Sequence, residues 1–146
     1  MQVPPVFELD QRLAKDSIWV LDLALSQLRL MQDARFFWAL LVPRISHAHE
    51  WFALSSSDQL LLHQETMQVG RALKTAAGAE KINIGALGNV IAQLHVHVIA
   101  RSADDACWPA PVWGTPMQAA SANLMQQRSL QLITAMRLAP SALHNK

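Results

Sequence analysis

Residues 93–101, which read QLHVHVIAR, constrain the fold more than any other stretch of this chain. Apolar side chains alternate here with Gln93, His95 and His97. A strand turns successive side chains to opposite faces, so the alternation predicts a strand with one apolar and one polar face. The two histidines then point the same way, with Cα atoms about 6.6 Å apart at roughly 3.3 Å of rise per residue. Both rings could reach one phosphate group or one metal ion.

The rest of the pattern predicts an α+β fold. Local alternation and apolar runs predict three further strands, at residues 23–31, 36–42 and 81–84. Apolar residues at helical spacing predict helices over residues 7–13, 56–77 and 115–139. Ser56 and Gln59 have the spacing of a capping box for the second of these. We therefore expect an antiparallel sheet of about five strands, with the main helix packed on it and a C-terminal helix added.

Length and composition limit the class of protein. A chain of 146 residues with 51% hydrophobic residues is suited to a single domain with one packed core. A net charge of +1 without a long basic run argues against non-specific nucleic-acid binding. The longest early apolar run, residues 18–25, is short and contains Asp22, so we expect no membrane span and a cytoplasmic location. Cys107 has no intrachain partner and is interpreted as a loop residue.

The sequence QLHVHVI at residues 93–99 resembles the signature of the histidine triad (HIT) family of nucleotide-binding hydrolases and transferases. In that signature three alternating histidines precede two apolar residues, and here Gln93 stands in the first place. The resemblance extends through NIGALGNV at 83–90, LRLMQD at 28–33 and LLVPR at 40–44. It covers a core of about residues 7–114, followed by a helical extension at 115–139. It implies a compact α+β domain, typically a homodimer, and is nearest to bacterial members described as diadenosine polyphosphate hydrolase-like.

The resemblance also implies roles for the histidines. His95 would attack the α-phosphate to form a nucleotidyl-histidine, and His97 would donate a hydrogen bond to a non-bridging phosphate oxygen. Near pH 7 a neutral imidazole is a competent nucleophile, because its unperturbed pKa is about 6.5. Gln93 cannot transfer a proton, but its backbone carbonyl could still fix the tautomer of His95. The expected activity is hydrolysis or transfer on dinucleoside polyphosphates or nucleoside phosphoramidates, with no cofactor.

Five further residues are candidate contacts to the substrate, namely Asp33, Asn83, Gly88, Asn89 and Arg101. Asn89 matches a position that holds the phosphates or the leaving group, and Gly88 lets the backbone approach a phosphate. Asp33 matches a position near the ribose, or else is a turn carboxylate bonded to its own backbone. Arg101 either adds positive charge or faces outward. The loop at residues 108–114 could close over a base, contact a second subunit or pack in the core.

Two alternatives of other classes stay open. A nucleotide-binding regulatory module would bind without turnover, because Gln93 replaces an imidazole. A metalloprotein would combine a second His-x-His pair, His47 and His49, with His95 and His97 as four nitrogen ligands for zinc. His47 and His49 are interpreted first as solvated loop residues that need no function.

Overall fold

A five-stranded antiparallel sheet forms the centre of the molecule in a computed structural model that describes residue 3 and residues 5–138. Its strands are β1 (Ser17–Asp22), β2 (Ser26–Met31), β3 (Trp38–Pro43), β4 (Lys81–Gly85) and β5 (Val96–Arg101). They lie in the order β1-β2-β3-β5-β4. The α-helices of the described residues are α1 (Gln11–Asp16), α2 (Ser56–Ala77) and α3 (Ala122–Leu138). The predicted α+β fold is confirmed.

The long helix α2 covers one face of the sheet. Leu62, Val69 and Leu73 of this helix are completely buried in one cluster with Leu41 of β3 and Val98 of β5. Burying a side chain of this size stabilises the fold by about 1.5–3 kcal/mol. Helix α3 packs on α2 and adds to the same cluster. No helix in the described part of the chain is long and apolar enough to cross a membrane.

The opposite face of the sheet is buried as well, beneath the N-terminal segment and the loop that follows β5. Its cluster comprises Leu13, Phe36, Trp38, Leu40, Val42, Ile99 and Val112, with Phe7, Leu9 and Trp113 packed against it. Along β5, Val96, Val98 and Ala100 join the cluster under α2, whereas His97, Ile99 and Arg101 alternate with them. The predicted alternation is therefore confirmed, but the polar face is covered instead of solvated.

The first residues of the histidine stretch lie outside the strand. The sequence predicts a strand from Gln93, whereas β5 begins at Val96. The backbone N–H of Leu94 donates to the carbonyl oxygen of Ala48 at 2.8 Å, in the loop after β3. The chain thus makes a loop contact at Leu94 before it enters the sheet.

Two elements near the N-terminus differ from the prediction. No strand is predicted for the segment that forms β1. There the pairing with β2 shifts between Trp19 and Leu21, and this irregularity breaks the alternation on which such a prediction depends. Helix α1 begins at Gln11 instead of residue 7, because Asp10 is its N-cap and accepts from the backbone N–H of Arg12 at 2.8 Å.

The bounds of α2 agree with the prediction, although its cap lies one residue earlier. Ser55, not Ser56, accepts from the backbone N–H of Asp58 at 3.2 Å. At the other end Gly78 adopts a left-handed conformation with φ of 60°.

Helix α3 begins at Ala122, not at residue 115. The segment before it pairs with the turn after β2, where Ala34 N–H donates to Gln118 O at 2.7 Å and Ala120 N–H donates to Gln32 O at 3.1 Å. This extended pairing takes the place of the predicted first helical turns. The predicted last residue, 139, lies outside the described residues.

Candidate functional site

His95 is fixed in one tautomer by the backbone. Its Nδ1 lies 2.6 Å from the carbonyl oxygen of Gln93. A carbonyl oxygen only accepts, so Nδ1 carries the proton of the neutral ring and Nε2 has a free lone pair. This geometry agrees with the expectation that the Gln93 carbonyl sets the tautomer whatever the side chain. The residue is 6% exposed, so the ring is held in a largely dry environment. His95 therefore presents a nucleophilic nitrogen.

His97 is fixed in the opposite tautomer by a different partner. The indole Nε1–H of Trp38 donates to His97 Nδ1 at 3.0 Å. Because Nδ1 accepts, the proton of the neutral ring is on Nε2. Burial, and then the charge of His95, lowers the pKa of His97 to about 3, so the ring is neutral near pH 7. His97 therefore presents a hydrogen-bond donor.

The two rings form a complementary pair. Their centroids are 4.8 Å apart and their planes are inclined by 63°. Among the described residues, no protein group is hydrogen-bonded to either Nε2 atom. One Nε2 has a lone pair and the other has a proton. A lone pair can attack an electrophilic centre such as phosphorus, and an N–H can stabilise anionic oxygens beside that centre.

Trp113 covers the His97 ring from the side of β4. The two ring centroids are 5.5 Å apart at 82°, in an edge-to-face arrangement. Gly85, which pairs with His97 in the sheet, leaves room for the indole, because a Cβ there would lie 3.0 Å from Trp113 Cη2. Of the three roles open to this loop, packing against the buried histidine face is the one observed. No sequence pattern predicts the Trp38 contact, because Trp38 lies within a continuous apolar run.

The side chain of Gln93 holds the N-terminal segment. Its Nε2 donates to Glu8 O at 2.8 Å, and its Oε1 accepts from Asp10 N–H at 2.8 Å. Arg12 Nη1 adds a bond to Val90 O at 3.0 Å. Only the backbone carbonyl of Gln93 is bonded to His95. The amide thus has a positioning contact where the family signature has an imidazole.

Arg101 and Asn83 lie in a separate cluster. Arg101 is 2% exposed and donates to both carboxylate oxygens of Asp105, at 2.6 and 3.1 Å, and to Asn83 Oδ1 at 2.8 Å. The hydrogen bond from Arg101 is the main cause that lowers the pKa of Asp105 to about 2. Arg101 lies four positions after His97 along the strand, about 13 Å by strand rise. The prediction that Arg101 faces outward is therefore wrong. Neither Arg101 nor Asn83 is brought to the histidines.

Asp33 is the turn carboxylate of the two interpretations that the sequence leaves open. It is completely buried, its Oδ1 accepts from Arg35 N–H at 3.0 Å, and its Oδ2 accepts from Arg35 Nη2 at 2.8 Å. Burial alone would raise the pKa of Asp33, but the hydrogen bonds from Arg35 bring it below its usual value. Asp33 precedes β3, in which Trp38 pairs with Ile99 of β5. Because the two strands are antiparallel, Asp33 lies toward the Arg101 end of β5 and away from His95.

The loop between β4 and the histidines holds the remaining candidates, Gly88 and Asn89. Gly88 has a φ of 69°, which the turn requires, and Asn89 is exposed with no side-chain hydrogen bond to another described residue. The exposed His47 and His49 line a shallow cleft beside the Gln93 side chain. Over the described residues, no group of three or more His, Cys, Asp or Glu is arranged to hold a metal ion. The four-histidine zinc site is therefore not formed.

Comparisons with known proteins agree with this geometry. A family model described as HIT domain matches residues 12–104. The chain is similar to the solved structure of a histidine triad (HIT) protein from Sinorhizobium meliloti 1021, with 45% identity, coverage of 88% of this chain and 96% of that one, and a TM-score of 0.87. The solved structure of a histidine triad protein from Bradyrhizobium japonicum has 42% identity, coverage of 90% of this chain and 99% of that one, and a TM-score of 0.87. That of a histidine triad protein from Marinobacter aquaeolei VT8 has 32% identity, coverage of 91% of this chain and 98% of that one, and a TM-score of 0.87. No curated protein matches.

Proposed function

The chain belongs to the histidine triad (HIT) family, and on that premise we propose that it is a nucleotide hydrolase or transferase acting at an α-phosphate. The proposed substrates are dinucleoside polyphosphates or nucleoside phosphoramidates. One observation carries the proposal: His95 has a free lone pair on Nε2, and His97, 4.8 Å away between ring centroids, has a proton on Nε2. This is the protonation pattern that attack at phosphorus needs.

In the first step Nε2 of His95 forms a bond to the α-phosphorus. The bond from phosphorus to the leaving oxygen or nitrogen breaks, and the leaving group takes its electron pair. A leaving nitrogen takes its proton from solvent. The His95 ring becomes positively charged, and its Nδ1–H bond to the Gln93 carbonyl stabilises that charge. His97 Nε2–H donates to a non-bridging oxygen, where negative charge is greatest.

In the second step water attacks the phosphorus of the nucleotidyl-histidine. The P–N bond breaks, a nucleoside monophosphate leaves, and the proton of the water passes to solvent. His95 regains its lone pair. We assign phosphate contacts to Gly88 and Asn89, because this loop has a left-handed glycine and an exposed amide without a described protein partner.

Turnover of a substrate panel tests this function. Diadenosine polyphosphates and adenosine phosphoramidate are incubated with wild type, with His95→Ala and with His97→Ala. His63→Ala removes an exposed imidazole from α2 and serves as the matched control. We expect His95→Ala to lose activity by about 10³-fold or more, and a nucleotide adduct on His95 in the wild type by mass spectrometry. Undiminished turnover by His95→Ala would contradict the mechanism.

A regulatory nucleotide-binding module is the second candidate, and a specific observation favours it. The Gln93 amide is occupied by backbone groups, and the buried His97 ring is neutral, so neither supplies a proton to a leaving amine. Calorimetry distinguishes the two candidates. Tight binding of adenosine monophosphate by a wild type that turns over no substrate would favour the module.

A homodimer is proposed through the free edge of β4. This strand ends the sheet, and Ile84, Leu87 and Val90, on the strand and in the loop after it, are 44%, 41% and 80% exposed. An open edge with apolar neighbours is suited to pairing with another strand. Ile84→Lys should then give a monomer in size-exclusion chromatography with light scattering. The cytoplasmic location and the single-domain organisation stay predictions.

A further inference from the structure

Two tryptophans contact the His97 ring, but only one is bonded to it. The indoles of Trp38 and Trp113 both have centroids 5.5 Å from the imidazole centroid. Trp38 Nε1–H donates to His97 Nδ1, whereas Trp113 Nε1 has no hydrogen-bond partner within the described chain. The two indoles thus lie at the same centroid distance, and only that of Trp38 is hydrogen-bonded to the imidazole.

Trp38 is held firmly in place. It is 5% exposed and lies on β3, where it pairs with Ile99 of β5, two residues from His97. Phe36 packs edge-on against its indole, with centroids 6.5 Å apart. An indole N–H donates and never accepts, so this contact has one direction only. In either tautomer of His97, the Nδ1 atom therefore faces the N–H group of Trp38.

We propose that Trp38 is a positioning residue that fixes His97 as the neutral Nε2–H tautomer. Protonation of Nδ1 would set two N–H groups against each other and leave the indole donor unsatisfied in a buried place. In terms of the proposed function, on which this consequence rests, His97 is a neutral hydrogen-bond donor to phosphate and not a general acid.

The surroundings of His97 contain few competing groups. Among the described residues, His95 is the titratable group whose charge acts on the pKa of His97. The packed elements otherwise present Trp38 and Leu40 from β3, Gly85 from β4, and Trp113 from the loop. Burial and the charge of His95 act on the pKa of His97 in the same direction as the indole bond.

Nitrogen-15 NMR of the imidazole rings between pH 4 and pH 8 tests the proposal with a matched pair of variants. Wild type and Trp113→Phe should keep His97 as one neutral tautomer across this range. Trp38→Phe should raise the apparent pKa of His97 by roughly one to two pH units and populate the Nδ1–H tautomer. A His97 titration and tautomer in Trp38→Phe identical to those of wild type would overturn the proposal.

A second measurement needs only the wild type, in case Trp38→Phe fails to fold. A through-hydrogen-bond coupling between Trp38 Nε1 and His97 Nδ1 should be present. A proton found on His97 Nδ1 would overturn the assignment. Kinetics separates this proposal from the proposed function. The kcat of Trp38→Phe should fall more at pH 5 than at pH 8. A wild type without turnover would overturn the proposed function, and the NMR result would then decide on the role of Trp38.

Discussion

The two hydrogen bonds from Gln93 to the N-terminal backbone can be removed together by Gln93→Leu. Each bond has a length of 2.8 Å, one to Glu8 O and one from Asp10 N–H. A typical hydrogen bond contributes about 0.5–1.5 kcal/mol net, so the pair stabilises this segment by about 1–3 kcal/mol. A change of about 1.4 kcal/mol alters an equilibrium constant tenfold. In Gln93→Leu the fraction of molecules in which the N-terminal segment is detached should therefore rise by about 5–150-fold.

Amide hydrogen exchange at Asp10 measures that opening. Gln93→Leu should speed exchange at Asp10 by about the same factor, because its N–H loses its acceptor. Gln32→Leu is the matched control, since it removes a single glutamine bond to α1, from Gln32 Nε2 to Lys15 O at 2.9 Å. It should leave Asp10 unchanged. Asp10 exchange in Gln93→Leu equal to that in wild type would refute the role given to this amide.

Three other perturbations have defined outcomes. Gly85→Ala brings a Cβ to 3.0 Å from the Trp113 ring, so it should lower the free energy of unfolding in urea by about 1–3 kcal/mol and change the tryptophan fluorescence. An unchanged urea midpoint would contradict the close packing of Trp113 on Gly85. Asp105→Asn leaves Arg101 buried without its carboxylate and should cost about 3–5 kcal/mol at pH 7. The pKa of Asp105 is lowered from 3.8 to about 2, so the stability that its ionised carboxylate contributes is complete above pH 4 and is lost as the pH falls toward 2. If Asp105→Asn cost as much stability at pH 2 as at pH 7, the ion pair with Arg101 would not be the cause. Ser55→Ala should cost about 1 kcal/mol in thermal unfolding, and Ser56→Ala much less, if Ser55 is the cap of α2.

The sequence was sufficient where a local pattern carried the information. The alternation around His95 and His97 predicted that the histidines share a face, and the spacing after Ser56 predicted the extent of α2. Both depend on periodicity within one segment, which tertiary contacts did not change. The carbonyl contact of Gln93 to His95 is equally local, over two residues.

The misses have non-local causes. The predicted start of α3 is too early because residues 118–120 pair with the turn near Asp33, a contact that no local pattern contains. The burial of Arg101 depends on Asp105 four residues later together with Asn83 from a different strand. The Trp38 bond to His97 requires the register of β3 on β5, which the sequence leaves open.

Contacts that span long stretches of chain complete the histidine pair. Trp38 meets His97 across 59 residues, and Asp10 meets Gln93 across 83. A ribosome delivers the chain from its N-terminus, so Trp38 and Asp10 are synthesised well before the imidazoles whose surroundings they form. A nascent chain that has not yet reached residue 97 has Trp38 but lacks the imidazole to which it donates. The surroundings of both histidines are therefore completed only after residues 93–97 have been synthesised, when the earliest segment of the chain can dock on them.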